Sequence, residues 1–296
     1  MLFITGCESF IGKFLIKECI KKNIKYFGID INTKNTKYTK KMDLRDRKLE
    51  KYITKNSIII HLAAISKNIL CLRNPKLAMD VNINGTINLI HSAARKQAKK
   101  FIFASSIWVY GEKNISKKVD ENEIIDANKI NSIYILSKIT IERYLKIVNL
   151  FKTVIILRFG IAYGSSKEES WSIVEQIFDL VKKNKNKNYI NIRSKKTSRC
   201  FIHVNDLVDG ILKSTKYNSK FSIFNLSGNR LISVIDIIKI TKKILNIKNN
   251  ILVKQSHEFQ PSIKSTCNNK MKNTLNWYPK IELKKFLLKK YINEKQ

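Results

Sequence analysis

The sequence has little proline or glycine, few cysteines and no long apolar run. Three prolines and nine glycines exclude a collagen-like protein or a proline-rich linker. No apolar run approaches the roughly 18 residues that a membrane helix needs, and no signal-peptide pattern follows Met1. The cysteines are odd in number and lack C-x-x-C spacing, which argues against a disulfide scaffold or a zinc ribbon; they are Cys7, Cys19, Cys71, Cys200 and Cys267. We therefore expect a soluble cytoplasmic protein with no metal site and no membrane partner.

Lysine is the residue in excess. Basic residues number 57 against 23 acidic ones, and the formal net charge of +34 is of a size that commonly marks nucleic-acid binding. Only nine of the 57 are arginine, the residue that favours base-edge contacts, and the lysines are spread over the whole chain. Lysine, isoleucine and asparagine share A/T-rich codons, so codon bias explains the excess without a specific nucleic-acid partner. A basic surface still favours an anionic substrate such as a nucleotide diphosphate.

Short apolar runs alternate with helical stretches in the first half of the chain, a pattern typical of a parallel sheet built from βαβ units. This pattern predicts strands at 2–5, 26–30, 57–64, 101–106 and 154–158, and helices at 10–21, 75–96 and 134–149. Later residues predict helices at 168–180, 206–213, 233–245 and 283–291, strands at 200–204 and 221–226, and a solvated lysine-rich loop at 182–188. We predict an α/β fold with a doubly wound parallel sheet.

A phosphate-binding loop, TGCESFIG (5–12), is predicted between the first strand and the first helix. Glycines in such a loop allow a tight turn and bring the backbone close to a pyrophosphate at the helix N terminus. Ser9 occupies one glycine position and would cost about 1–2 kcal/mol if that residue needs a positive φ.

Asp30 ends the second strand 18 residues after Gly12, near the offset of about 20 expected for a carboxylate that binds the adenosine ribose hydroxyls. Because such a carboxylate repels a 2′-phosphate, NAD is preferred to NADP. The alternative is an ordinary strand–helix turn with a solvated aspartate.

Tyr134 and Lys138 form a candidate proton-transfer pair, since their i, i+4 spacing places both on one helix face. We expect the Lys138 ammonium to stabilise the phenolate and to lower the pKa of Tyr134. Ser106 ends a predicted strand, and in a doubly wound sheet the carboxyl ends of the strands face the ligand crevice. Its hydroxyl is therefore expected beside Tyr134, in contact with a substrate oxygen.

An ordered series of short motifs covers nearly the whole chain and resembles the extended short-chain dehydrogenase/reductases, in particular the NAD-dependent epimerase/dehydratase family that acts on nucleotide sugars. The motifs are TGCESFIG (5–12), Asp30 and Asp43, HLAA (61–64), Asn82-x-x-Gly85-Thr86, SSIWVYG (105–111), YILSK (134–138), RFGIAYG (158–164), RCFIHVND (199–206), FNLSG (224–228) and LNWYP (275–279). Each motif is modestly specific, whereas the ordered set is not expected by chance.

The resemblance implies a role for each motif residue. Ser106 would bind the reacting oxygen, Tyr134 would be the acid–base residue, and Lys138 would hold the nicotinamide ribose. Substrate contacts are implied for Ser106, Trp108, Tyr134 and Arg199. The implied NAD contacts, besides Tyr134 and Lys138, are Gly6, Ser9, Phe10, Ile11, Gly12, Asp30, Asp43, Leu44, Ala63, Ala64, Asn82 and Ser105.

The resemblance also implies a NAD-binding Rossmann domain at 1–163, to which 201–228 returns. A smaller substrate-binding domain, at 164–200 and 229–296, is interleaved with it. We further expect a homodimer.

Three departures from the family pattern narrow the expected reaction. Dehydratases of this family carry an acidic pair directly after the hydroxyl residue, where this chain has Ile107 and Trp108, so dehydration is not expected. Nucleotide-sugar members usually have asparagine at the position of Ile161. The C-terminal arginine that usually binds the diphosphate is not evident around 257–262, so the sequence does not identify the nucleotide of the substrate.

The expected reaction is hydride transfer at carbon-4 of a nucleotide-linked sugar, with NAD as cofactor. A 4-epimerase is slightly favoured because Asp30 indicates NAD, which suits internal oxidation and reduction. A reductase of 4-keto-6-deoxy nucleotide sugars that uses NADH or NADPH is nearly as well supported, by the short chain and by Ile161. A second alternative is a non-catalytic dinucleotide- or nucleic-acid-binding protein, which has no need of the Ser106, Tyr134 and Lys138 set.

Overall fold

The fold is built from short buried strands alternating with helices. The computed structural model describes residues 1–111, 118–126, 128, 130–164, 172–185, 189–192, 197–248, 252–255 and 265–294. The strands are β1 (Leu2–Thr5), β2 (Tyr26–Asp30), β3 (Thr39–Lys41), β4 (Ile58–His61), β5 (Lys100–Ser106), β6 (Thr153–Phe159), β7 (Ile161–Tyr163), β8 (Tyr189–Ile192), β9 (Ser198–Arg199), β10 (Phe201–His203), β11 (Phe221–Leu226), β12 (Ile232–Ser233) and β13 (Leu252–Gln255).

The α-helices are α1 (Phe10–Lys21), α2 (Asn68–Arg73), α3 (Pro75–Met79), α4 (Thr86–Arg95), α5 (Ile133–Val148), α6 (Ile173–Lys183), α7 (Val204–Lys216), α8 (Val234–Ile244), α9 (Asn269–Leu275) and α10 (Leu283–Asn293). Short 3₁₀-helices span Arg47–Tyr52 and Ile107–Tyr110, and a π-helix spans Asp80–Gly85. None of the described helices is both long and apolar enough to cross a membrane.

Seven strands form one parallel sheet in the order β11-β6-β5-β4-β1-β2-β3. The chain runs outward from β1 to β3 and then returns to the other side of β1 with β4, so that Leu2 pairs with Tyr26 on one side and with Ile58 on the other. Ligands bind such sheets at this reversal, in the crevice outside the carboxyl ends of the strands. The prediction of an α/β fold with a doubly wound parallel sheet is confirmed.

Two apolar layers cover the sheet, one on each face. Ile4 and Ile60 pack on one face in a cluster that includes residues of α1 and α7. Phe3 and Phe101 pack on the other face in a cluster that includes residues of α4 and α5. Burial on both faces explains why these strands are continuous apolar runs rather than alternating ones.

A smaller C-terminal part has its own apolar cluster. Its core includes Phe178, Ile237 and Leu287, which come from α6, α8 and α10 and are fully buried. Three two-stranded sheets pair β10 with β7, β12 with β9, and β13 with β8. The strand β11, in contrast, joins the edge of the central sheet beside β6. The division of the chain into two domains stays a prediction.

Several sequence-based boundaries differ from the structure. The strand predicted at 57–64 ends at His61, and the helix predicted at 75–96 contains the π-helix and ends at Arg95. Val204 begins α7 instead of ending a strand, because the His203 side chain accepts a hydrogen bond from the Asn205 N–H and caps the helix. The helix predicted at 168–180 and the loop at 182–188 lie partly outside the described residues.

Candidate active site

A cavity of about 1310 Å³ opens at the carboxyl ends of the central strands. It exceeds the roughly 300–1,000 Å³ typical of a small-molecule pocket, so it has room for a dinucleotide or for two ligands side by side. Most of the expected site residues line it, namely Gly6, Ser9, Phe10, Ile11, Asp30, Asp43, Leu44, Ala63, Ala64, Ser105, Ser106, Trp108, Tyr134, Lys138 and Arg199.

Two of the residues expected to contact the cofactor, Gly12 and Asn82, do not line the cavity but lie next to residues that do. A Cβ on Gly12 would lie only 2.1 Å from the Gly6 carbonyl oxygen, so glycine is required for α1 to approach the loop. The Asn82 amide accepts a hydrogen bond from the Ile65 N–H (2.8 Å) and donates one to the Ile65 carbonyl (3.0 Å). Both residues shape the site from outside the cavity.

The phosphate loop is held by Ser9. Gly6 has a φ of +73°, which favours glycine, whereas Ser9 has a φ of −63°, so the strain considered for a serine at this position does not arise. The Ser9 hydroxyl donates to the Gly6 carbonyl (2.6 Å) and accepts from the Gly12 N–H (3.1 Å). Ser9 thus closes the loop and caps α1, whose N terminus faces the cavity as anion sites require.

Asp30 is the last residue of β2 and lies next to the phosphate loop. Its carboxylate accepts hydrogen bonds from the backbone N–H groups of Glu8 (3.1 Å) and Asn32 (2.9 Å). Nearby, Asp43 accepts two hydrogen bonds from the Arg45 guanidinium, which hold the pKa of that carboxyl below its usual value. Because the sequence leads us to expect the adenosine ribose at Asp30, we call the cavity-lining residues Glu8, Lys13, Asp30, Asp43 and Arg45 the adenosine end of the cavity.

Sequence reasoning missed Glu8, Lys13 and Arg45 at this end. The only signal available was their position, since each lies within or next to a motif residue. Nothing in the pattern distinguishes them from the many other charged side chains of the sequence.

The opposite end of the cavity brings Ser106, Tyr134 and Lys138 into one wall. Ser106 ends β5, and its hydroxyl accepts a hydrogen bond from the Trp108 N–H (3.2 Å). The Lys138 ammonium lies 4.6 Å from the ring centroid of Phe103 and 5.4 Å from that of Tyr134. The Tyr134 hydroxyl and the Lys138 amine form no hydrogen bond within the described part of the chain, so both can bond a ligand in the cavity.

Burial controls the charge of this pair. It lowers the pKa of Lys138 to about 7 and raises the pKa of Tyr134, to which the Cys71 thiol also contributes. The direction for Tyr134 is opposite to the one expected from the sequence. The reason is that desolvation of the phenolate outweighs the attraction of an ammonium that lies over the ring. Tyr134 is therefore a neutral phenol in the ligand-free protein.

A buried ion pair lies next to the end of the cavity that contains Ser106, Tyr134 and Lys138, which we call the candidate catalytic end. Glu142, one helical turn after Lys138, accepts hydrogen bonds from the Arg158 guanidinium at 2.6 and 3.1 Å, and it raises the pKa of Lys138 against the effect of burial. Ser105 donates to the same carboxylate at 2.5 Å. Sequence reasoning missed this pair, although the spacing of four residues between Lys138 and Glu142 was visible.

A chain of hydrogen bonds through His61 joins β1, β4 and the start of α4. The His61 ring contacts the hydroxyls of Thr5 (2.6 Å) and Thr86 (2.8 Å), and burial lowers its pKa far enough to keep it neutral. Thr86 donates to the Asn82 carbonyl, so its oxygen accepts from the ring Nε2–H. The Thr5–His61–Thr86 chain therefore ties β1 and β4 to the π-helix that carries Asn82.

Comparison with known sequences decides the family. Residues 2–227 match the profile of the NAD dependent epimerase/dehydratase family. The chain belongs to this family. It is 29% identical to a Methanocaldococcus jannaschii protein provisionally named UDP-glucose 4-epimerase, over 96% of this chain and 95% of that one.

Solved structures agree with the fold of this epimerase/dehydratase family member. It is similar to UDP-glucose 4-epimerase of Thermotoga maritima with UDP-glucose, with a TM-score of 0.84 and 21% identity over 99% of both chains. It is also similar to UDP-glucose 4-epimerase of Thermus thermophilus in complex with NAD, with a TM-score of 0.79 and 17% identity over 97% and 96% of the two chains.

The residues of this family member fit a dinucleotide. The N terminus of α1 suits a diphosphate, Asp30 suits ribose hydroxyls, and the Lys138 amine is available to a second ribose. No group of three His, Cys, Asp or Glu side chains in the described ranges is placed to hold a metal ion.

Proposed function

We propose that the chain is a NAD-dependent 4-epimerase of a nucleotide-linked sugar. The observation that carries this proposal is a single cavity with the phosphate loop and Asp30 at one end and Ser106, Tyr134 and Lys138 at the other. The name of the Methanocaldococcus jannaschii relative supports the same reaction. We propose NAD rather than NADP because the Asp30 carboxylate would meet a 2′-phosphate with like charge.

The three catalytic residues have separate tasks. Ser106 holds the oxygen on carbon-4 by a hydrogen bond, and Tyr134 removes the proton from that hydroxyl during oxidation and returns it during reduction. Lys138 binds ribose hydroxyls and, when protonated, favours the phenolate that burial disfavours. The nicotinamide, when bound, supplies reversible hydride acceptance at carbon-4.

Arg199 and Trp108 form the substrate side of the cavity. The Arg199 guanidinium stacks on the Trp108 ring at 4.7 Å. Burial lowers the pKa of Arg199 to about 10, so the side chain remains cationic at neutral pH. We propose that it binds the diphosphate of the substrate.

A substrate panel tests the proposal. The protein is incubated with UDP- and dTDP-linked sugars and with a 4-keto-6-deoxy nucleotide sugar, each with NAD, with NADH, or without added cofactor. Products are identified by NMR while the absorbance of NADH is recorded. A 4-epimerase interconverts two sugars that differ at carbon-4 without net formation or loss of NADH. Stoichiometric NADH consumption by a 4-keto sugar, with no interconversion, would instead establish the reductase, which the apolar Ile161 in the cavity wall favours.

We also propose that the protein is a homodimer. Apolar side chains are exposed on the neighbouring helices α2, α3 and α5, namely Ile69, Leu70, Leu72, Leu77 and Leu136. Exposed apolar side chains on helices that contact one another are suited to an interaction surface, which a second copy of the chain would cover. Sedimentation should show a dimer that Leu72→Glu converts to a monomer; a wild-type monomer at micromolar concentration would contradict this proposal.

A further inference from the structure

The adenosine end of the cavity is acidic, although the whole chain carries a net charge of +34. Three carboxylates, Glu8, Asp30 and Asp43, line this end against two cations, Lys13 and Arg45. Each cation lies beside a carboxylate other than Asp30. The Arg45 guanidinium is 2.7 Å from Asp43, and the Lys13 ammonium is 3.7 Å from Glu8. Asp30 thus faces the cavity with no cation against it in the described structure.

Glu8 is fixed beside Asp30 at two points. Its backbone N–H donates to the Asp30 carboxylate at 3.1 Å, and its own carboxylate accepts a hydrogen bond from the Thr33 hydroxyl at 3.0 Å. Thr33 is only 5% exposed, so it is a rigid partner. The Glu8 backbone is therefore bonded to Asp30 and its side chain to Thr33, and both carboxylates line the end of the cavity where the adenosine ribose would lie.

We propose that Glu8 is a second specificity-determining residue, which acts with Asp30 to exclude a dinucleotide carrying a 2′-phosphate. The negative charge of Glu8 repels the 2′-phosphate. The ion pair between Glu8 and Lys13 also reduces the attraction of the Lys13 ammonium for that phosphate. This inference rests on the proposed function, because it assumes that the cavity binds NAD.

The physical reason lies in the limited screening of the site. Like charges a few ångströms apart in a partly buried site repel by much more than they do in bulk water. A ribose with free hydroxyls avoids this cost and gains hydrogen bonds to Asp30. Because Glu8 contributes to the discrimination together with Asp30, Asp30→Asn alone should leave a preference for NADH.

Fluorescence titration with NADH and with NADPH tests the inference. In Glu8→Gln we expect NADPH to bind about tenfold more tightly than in the wild type, and NADH to change by less than about threefold. Adding Lys13→Met to Glu8→Gln should cancel most of the gain. The matched control is Glu18→Gln, which removes a carboxylate on α1 that pairs with Lys22 at 3.1 Å, outside the cavity wall. This control should change the affinity for neither dinucleotide.

The outcomes separate the two proposals. If the wild type binds neither dinucleotide, the proposed function fails. If it binds NADH and the ratio of the two affinities is the same in Glu8→Gln as in the wild type, the role of Glu8 is overturned. Thermal melting checks that each variant is folded. Thr33→Val keeps both carboxylates and removes the hydrogen bond that holds the Glu8 side chain. It should reduce the preference for NADH over NADPH, as Glu8→Gln should, and it replaces that variant if Glu8→Gln does not fold.

Discussion

Burial acts on Tyr134 and Lys138 through one mechanism with opposite consequences for their pKa values. It disfavours the charged form of each, so the phenol holds its proton and the amine releases one more readily. Lys138 therefore changes charge close to neutral pH, whereas Tyr134 does not. In the ligand-free protein, a change of pH near neutrality therefore changes the charge of Lys138 and not that of Tyr134.

Replacing Tyr134 with phenylalanine tests its role as the proton-transfer residue. Tyr134→Phe keeps the ring that lies beside Lys138 and removes only the hydroxyl. We expect the turnover rate to fall by about 10²–10⁴-fold, with NADH affinity retained. The matched control is Tyr144→Phe on the same helix, whose hydroxyl contacts His91 outside the cavity. Normal turnover by Tyr134→Phe would show that another group transfers the proton.

The pH dependence of NADH binding follows from the pKa of Lys138, which is about 7. A diphosphate and ribose hydroxyls favour the ammonium, so binding raises this pKa and linkage makes affinity highest below pH 7. We expect the dissociation constant to increase as pH rises from about 6 to 8.5, and the dependence to disappear in Lys138→Met. Isothermal titration calorimetry at several pH values measures the dissociation constant of NADH for the wild type and for Lys138→Met. A wild-type dissociation constant that does not change with pH would contradict the expectation.

At the scale of secondary-structure elements, the Thr5–His61–Thr86 chain joins three of them by side-chain hydrogen bonds. It connects the carboxyl ends of β1 and β4 to the helix that follows them. All of its groups are buried and each donor has an acceptor. These hydrogen bonds therefore fix the relative positions of the strand ends next to the cavity.

Breaking this chain should lower stability. Thr86→Val keeps the shape of the side chain but leaves the His61 Nε2–H without an acceptor, which should reduce the free energy of unfolding by about 1–3 kcal/mol. Thr140→Val is the control, because its hydroxyl also donates to the carbonyl four residues earlier, but at an exposed site. Urea unfolding of both variants measures the difference; equal effects would mean that the His61 contact contributes nothing.

Sequence reasoning predicted the central strands well because their apolar runs are short and bounded by polar residues. It extended β4 through Ala64 because Leu62, Ala63 and Ala64 are apolar, and such residues suit a buried strand as well as the cavity wall that they form. The π-helix at Asp80–Gly85 has no sequence signature, since it arises from tertiary fit. The order of the motifs was enough to predict that Ser106, Tyr134 and Lys138 lie in one site. The position of the Glu8 side chain, in contrast, depends on a hydrogen bond from Thr33, which no local sequence pattern predicts.

At the scale of the whole molecule, the lysine excess and the acidic adenosine end give the chain two opposite electrostatic regions. A diffuse positive field attracts polyanions of any sequence, whereas the role proposed for the local carboxylates is to select among dinucleotides. Global charge and local charge would then have different functions in the same chain.

We expect nucleic acids to bind this surface without sequence preference. Affinity for duplex DNA or RNA should be roughly 10⁻⁴–10⁻⁶ M at physiological salt and should fall steeply as salt increases, because phosphate contacts release counterions. Binding assays with several sequences at two salt concentrations measure this. Nanomolar, sequence-dependent binding at physiological salt would support a specific nucleic-acid interface instead.

The hydrogen bonds of Ser9 have a kinetic consequence. They fix the shape of the phosphate loop before any ligand arrives, so ordering the loop costs little conformational entropy at the moment of association. A preorganised loop improves affinity chiefly by slowing dissociation. A diphosphate bound to this loop would therefore dissociate more slowly than one bound to a loop that must first become ordered.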